Sequence, residues 1–205
     1  LCPECGTPLV RYEGEAKHYC PNQSGCRPQK LGRIVHFIRR KALDIDGLGS
    51  ETIELLMDCG LIDNFADLYD LKAADLAPLP RLGEKSADNI IRSIEASRTV
   101  PFSRVLFGLG IRFVGETTAK YLAAHFRNID AVRSASSEEL MESEEVGAKI
   151  AEAIIEYFAD PTNIAIIERL RKAGLQFEAE ERRRDSNALE GKNVVISGKF
   201  IDHTR

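Results

Sequence analysis

Apolar residues recur along the chain at helical spacing, and they do so in four similar blocks. Gly49, Gly83, Gly115 and Gly147 stand 34, 32 and 32 residues apart. Each follows an apolar residue (Leu48, Leu82, Val114, Val146), and four positions later comes a small or apolar one (Ile53, Ala87, Ala119, Ala151). In the second block the pattern continues through Ile90, Ile91 and Ile94, and in the fourth through Ile154, Ile155 and Phe158. Each block predicts helix, tight turn, helix. A further helix is predicted after the fourth, with Asp160 as its cap, Pro161 in its first turn and Gly174 at its end. Near the carboxy end, Asn193-Val194-Val195-Ile196 lies between glycines and reads as a strand.

The turns carry the chemistry. An apolar residue followed by glycine suits a bend that needs positive φ or close backbone approach, and the small residue one turn later lets the two helices pack closely. Four such units in register bury one continuous face and form a helix-hairpin-helix array. At each bend, backbone amides and the amino end of the second helix make a concave set of donors suited to a phosphate oxygen. Such contacts hold a duplex by its backbone without reading bases. The side chains rank the four. The first has Gly47-Leu48-Gly49 followed by Ser50, and the second has Arg81 and Gly83 with Lys85 and Ser86. The third has Arg112, Phe113, Gly115, Thr117, Thr118 and Lys120, whereas the fourth places Glu144-Glu145 at the bend. Two carboxylates repel phosphate, so the fourth unit is expected to touch DNA least. A helical solenoid that binds protein is the competing reading.

Ahead of the array, Cys2-x2-Cys5 and Cys20-x5-Cys26 form two close pairs across a turn-rich stretch. Four thiolates at this spacing close a tetrahedral zinc site with no open position, so the expected role is structural. Gly6 lets the chain turn back with its amides toward the sulfurs. Two disulfides are the alternative, disfavoured in a reducing compartment. His18 is a competing ligand. The segment has few sizeable apolar residues, so zinc would supply the folding free energy, on the order of 10 kcal/mol. Cys59 lies in the pattern Ile53, Leu56, Met57, Cys59 and is expected in the core.

With 205 residues, 43% hydrophobic and 29% charged, the chain can bury a sizeable core. It contains no apolar run long enough to span a bilayer and no signal-peptide pattern, which predicts a cytoplasmic protein. The net charge of −4 decides nothing about nucleic acid, but local charge does. Arg27, Lys30, Arg33, Arg39, Arg40 and Lys41 form a basic run without an acidic residue, the electrostatic footprint a phosphate backbone needs.

Three segments carry a family resemblance: Leu43-Asp44-Ile45-Asp46-Gly47-Leu48-Gly49, Arg81-Leu82-Gly83-Glu84-Lys85-Ser86-Ala87, and Leu109-Gly110-Ile111-Arg112-Phe113-Val114-Gly115-Glu116-Thr117-Thr118-Ala119. Behind a four-cysteine module, they make the chain resemble the carboxy-terminal portion of bacterial NAD-dependent DNA ligases. Leu189 to Gly198 is similar to the first strand of the BRCT domain of those enzymes. The resemblance implies a mainly α fold: a zinc finger over 1–30, a helix-hairpin-helix domain over 31–177, a charged linker over 178–188 and a truncated BRCT start over 189–205. It implies a whole enzyme that seals nicks in replication and repair. There a lysine is adenylated from NAD, AMP passes to the 5′ phosphate and the 3′ hydroxyl displaces it. NAD and magnesium belong to that full-length enzyme. The chain has no Lys-x-Asp-Gly nucleophile motif, so it is expected to be inactive alone. Gly108-x-Gly110 has Phe113 in the third glycine's place and no preceding strand, so it is not read as a dinucleotide loop. The expected partners are nicked duplex DNA and the catalytic half of the same polypeptide, with no membrane. The alternative is a helix-hairpin-helix adaptor of an excision nuclease or recombination complex.

Overall fold

The computed structural model describes residues 1–180 except Tyr12, Glu13 and Glu15. The predicted strand, the BRCT start and the linker beyond Glu180 lie outside the described residues. From Arg27 on, the described residues are mainly helical, as the apolar spacing requires, and the described residues form no β-strand beyond two isolated bridges. Four helix pairs correspond to the four blocks. They are α1 (Arg27–Ile38) with α2 (Ser50–Asp58), α3 (Ala73–Leu76) with α4 (Glu84–Ser97), α5 (Phe102–Gly108) with α6 (Glu116–Phe126), and α8 (Ser137–Met141) with α9 (Ala148–Ala159). A 3-10 helix, Phe65–Asp70, joins the first pair to the second, α7 (Ile129–Ser134) joins the third to the fourth, and α10 (Pro161–Lys172) closes the array. Asp160 caps α10 as expected, accepting from the Thr162 amide at 2.8 Å.

One core runs through all of these elements. The small or apolar residue one turn into each second helix is fully buried: Ile53, Ala87, Ala119 and Ala151 are each 0% exposed. Phe37 of α1 stacks on Phe65 of the 3-10 helix at a centroid distance of 4.6 Å. Around this stack, Arg169 of α10 reaches Asp67 at 2.7 Å and Asp70 at 2.5 Å, fastening the last helix to the link between the first two pairs. Gly108 has a packing role that its sequence pattern did not suggest. A Cβ there would lie 2.6 Å from Leu43 Cδ2 and 3.4 Å from Phe37, so its missing side chain lets α5 rest on the end of α1 and the segment after it.

Two expectations need correction. Cys59 is exposed: it is the C-cap of α2, where the chain leaves the helix and turns the thiol off the face that buries Ile53 and Leu56. The start of the predicted linker is docked. The Ile129 amide donates to the Phe177 carbonyl at 3.0 Å and the Ala179 amide to the Arg127 carbonyl at 2.7 Å, so 178–180 pair with the α6–α7 junction. The positive φ of Arg127 (68°) shapes that junction.

Candidate nucleic-acid interface and metal centre

The four hairpins share the place of their positive-φ residue, and three share a turn hydrogen bond. In the second, third and fourth, the amides of Leu82, Val114 and Val146 each donate to the carbonyl three residues back (Leu79, Ile111, Ser143) at 3.1 Å. The third residue of each turn has positive φ: Arg81 66°, Phe113 65° and Glu145 62°. In the first hairpin Gly47 takes this place with φ 84°. Pro80 sits ahead of Arg81, where its fixed φ suits a turn. The aligned glycine comes two residues later and caps the second helix. Ile53, Ala87, Ala119 and Ala151 then donate to Gly49, Gly83, Gly115 and Gly147 at 2.9–3.0 Å.

This corrects the expectation for the aligned glycines. Gly49, Gly83, Gly115 and Gly147 have φ of −90°, −134°, −81° and −96°, so none needs left-handed freedom. A Cβ at any of them would meet nothing within 4 Å. What they leave is open surface above the first amides of α2, α4, α6 and α9. The position that requires glycine for the fold is Gly47, where a Cβ would come 2.9 Å from Ile90 Cγ1.

The predicted contact residues fall into four groups. Gly47, Gly49, Ser50, Gly83, Lys85, Ser86, Gly115 and Thr117 are exposed around the turns. Arg81 and Lys120 are exposed but ion-paired, Arg81 with Glu51 at 2.9 Å and Lys120 with Glu116 at 2.7 Å. Thr118 is 7% exposed and faces the core, because it falls on the same side of α6 as Ala119 and Leu122. Arg112 is half-buried, with its guanidinium 4.7 Å from the Tyr19 ring and 4.6 Å from the Phe113 ring. Glu116 was not singled out by sequence reasoning. Hydrogen bonds from Lys120 and then Lys41 hold its carboxyl down at about 2. Half of the basic run from Arg27 to Lys41 is ion-paired at the surface of the fold. Arg27 pairs with Asp58 at 2.7 Å, Lys30 with Asp63 at 2.6 Å and Lys41 with Glu116 at 2.9 Å, while Arg33 lies over Phe65 and donates to Asn163. Arg39 and Arg40 stand exposed at its end.

The four cysteines converge. Their Sγ atoms all lie within 4.8 Å of one another, with Cys2 to Cys26 at 4.0 Å and Cys5 to Cys20 at 3.6 Å. Tetrahedral zinc with Zn–S near 2.3 Å sets its sulfurs about 3.8 Å apart, so the donor set fits that ion. The first knuckle closes at Gly6, φ 70°, but the Gly6 amide donates to the Cys2 carbonyl at 2.9 Å rather than to a sulfur. Thr7 serves the sulfur instead: hydrogen bonds with its hydroxyl and then its amide draw the Cys5 thiol down to about 6. Burial pushes the Cys26 thiol up to about 12 and raises that of Cys20. Asn22 ties the knuckles together, accepting from the Gly25 amide at 2.8 Å and donating to Thr7 Oγ1 at 3.3 Å. A Val10–Tyr19 bridge pairs the connecting segments. His18 is exposed and stands outside the four-sulfur group. Cys26 is also the N-cap of α1, so the module runs directly into the array and the helix begins at Arg27, inside the predicted 1–30 unit.

A four-thiol metal clasp fused to tandem helix-hairpin-helix pairs is the class of module that fold and site define. Comparison with known proteins is specific. Residues 2–27 match the NAD-dependent DNA ligase C4 zinc finger domain, 40–96 a SAM-like helix-hairpin-helix tandem, and 104–167 a helix-hairpin-helix motif. The whole chain aligns with proteins named DNA ligase from Phocaeicola vulgatus (55% identity), Flavobacterium johnsoniae (54%) and Flavobacterium psychrophilum (52%), in each case covering 31% of the relative. The chain is a zinc-finger and helix-hairpin-helix portion of the NAD-dependent DNA ligase family, and it spans about a third of the length of those relatives.

Proposed function

We propose that this portion grips duplex DNA by its phosphate backbone, without regard to sequence, and holds it for nick sealing by a catalytic half in the same polypeptide. The observation that carries the reading is the repeated turn. Four times the chain presents a helix amino end with an exposed glycine and open space where a side chain would otherwise stand. Amides so exposed are suited to phosphate oxygens. Arg81, Lys85, Ser86, Thr117 and Lys120 supply charge and hydroxyls beside them. The ion pairs of Arg81 and Lys120 do not oppose this, since exposed pairs contribute only about 0–1 kcal/mol and a phosphate can take the glutamate's place.

Zinc, held by Cys2, Cys5, Cys20 and Cys26, fixes the amino-terminal module against the start of α1 and leaves no position for substrate. In the whole enzyme, NAD and magnesium serve the adenylation chemistry, the protein works in the cytoplasm in replication and repair, and residues 189–205 begin its BRCT domain. A binding comparison tests the reading. The zinc-loaded chain should bind nicked duplexes of unrelated sequence with equal affinity. Marked preference for one sequence would refute backbone recognition, and strong preference for branched or bubble DNA over nicked duplex would favour an excision or recombination adaptor.

A further inference from the structure

Phe113 occupies a place where burial is not what its ring does. Its neighbours Ile111 and Val114 are 3% and 6% exposed, yet Phe113 is 40% exposed and is the only exposed phenylalanine or tyrosine among the described residues. The backbone there has φ 65°, a conformation disfavoured for bulky residues, so a large apolar side chain is carried out to solvent at a strained position. Two cations flank the ring, the Arg112 guanidinium and the Lys149 ammonium, each 4.6 Å from its centroid. Phe113 is two residues before Gly115 and Lys149 two residues after Gly147, so the tips of the third and fourth hairpins meet at this ring. Arg112 also lies over Tyr19, which brings the zinc module to the same point.

We propose that Phe113 is an apolar tip that seats in the minor groove of duplex DNA, its ring against deoxyribose and the charges of Arg112 and Lys149 toward the phosphates on the groove walls. The inference rests on the DNA-gripping reading and names the contact in it that is not electrostatic. An exposed phenyl gains free energy by leaving water, and sugar faces offer it an apolar surface. The minor groove, about 6 Å wide, admits a ring edge, and phenylalanine is among the side chains that proteins place there. A protein partner with an apolar pocket would have to desolvate two cations beside the ring, whereas phosphates would pair them. The fourth hairpin thereby takes part through Lys149 despite Glu144 and Glu145.

The test uses the zinc-loaded chain, a labelled nicked duplex and anisotropy titrations over a range of salt. Phe113→Ala keeps a Cβ at the same φ and removes the ring. Affinity should fall roughly ten-fold, since most of one phenyl's burial is lost. The slope of log affinity against log salt should stay unchanged because no charge is removed, and the thermal midpoint should stay within a degree or two. Phe113→Leu should recover part of the loss. Lys149→Gln should reduce the salt slope by about 0.9. Unchanged affinity in Phe113→Ala would overturn the inference and leave the grip standing, while failure of the parent chain to bind duplex at all would remove both. A fall in affinity that tracks a lower thermal midpoint in both Phe113 variants would assign the ring a packing role and also overturn it.

Discussion

Gly47→Ala and Gly49→Ala differ by two positions and should fail in opposite ways. At Gly47 the new methyl must adopt φ 84°, which costs about 1–2 kcal/mol for an L residue. It would also stand 2.9 Å from Cγ1 of Ile90, itself 1% exposed, and such overpacking costs about 1–3 kcal/mol. The sum is about 2–5 kcal/mol, and for a chain of this size it corresponds to a thermal midpoint lower by roughly 5–15 °C. At Gly49 the backbone has φ −90° and the methyl meets nothing. Only the cap preference is lost, about 0.5–1 kcal/mol. The same methyl, however, fills the space through which a phosphate would approach the first amides of α2, and affinity for duplex should fall roughly ten-fold, about 1.4 kcal/mol. Scanning calorimetry of both zinc-loaded variants, with anisotropy titrations on a nicked duplex, reads the two effects separately. Equal destabilisation by the two substitutions would refute the division between a fold glycine and a contact glycine. So would Gly49→Ala binding as tightly as the parent.

Other expectations concern charge and metal. Glu116→Gln should raise duplex affinity a few-fold by releasing Lys120 and Lys41 for phosphate, measured by anisotropy at low salt; weaker binding would mean the carboxylate organises the site. The Glu116 carboxyl sits at about 2 in the folded chain against an ordinary 4.5, so its pairing contributes to stability above pH about 4.5 and is lost as pH falls toward 2. In the Glu116→Gln variant, acid unfolding should show less loss across that window, as followed by circular dichroism. Burial keeps Cys20 and Cys26 protonated when no metal is bound, so zinc must displace protons, and retention should drop on acidification. A chromophoric chelator would report the release, and retention independent of pH would contradict four-thiolate ligation.

The helical array was legible because Ile53, Ala87, Ala119 and Ala151 repeat in register and all are buried; the period itself encodes the packing. The zinc ligands were legible because two short cysteine spacings leave few other arrangements. What failed to show was local backbone detail and tertiary charge pairing. Glycine in a bend does not say which residue takes positive φ, and three of the four positive-φ places hold Arg81, Phe113 and Glu145 rather than glycine. The basic run from Arg27 to Lys41 read as a phosphate footprint, but its partners Asp58, Asp63 and Glu116 lie far along the chain, so its ion pairing could not be seen. Thr118 and Cys59 each went to the opposite environment from the expected one. Helical periodicity leaves facing uncertain by a residue, and Cys59 stands where the helix ends.

The central claim is a backbone grip by repeated hairpins, and salt dependence addresses it most directly. Affinity of the zinc-loaded chain for a nicked duplex should fall linearly on a log–log plot, with a slope of about −0.9 for each phosphate neutralised by a lysine or arginine. With Arg81, Lys85, Arg112 and Lys120 engaged, the slope should be about −3 or steeper. Replacing Lys85 by Gln should make it shallower by about one contact. Tight binding with a slope near zero, or a slope unaffected by Lys85→Gln and Arg81→Gln together, would contradict the account.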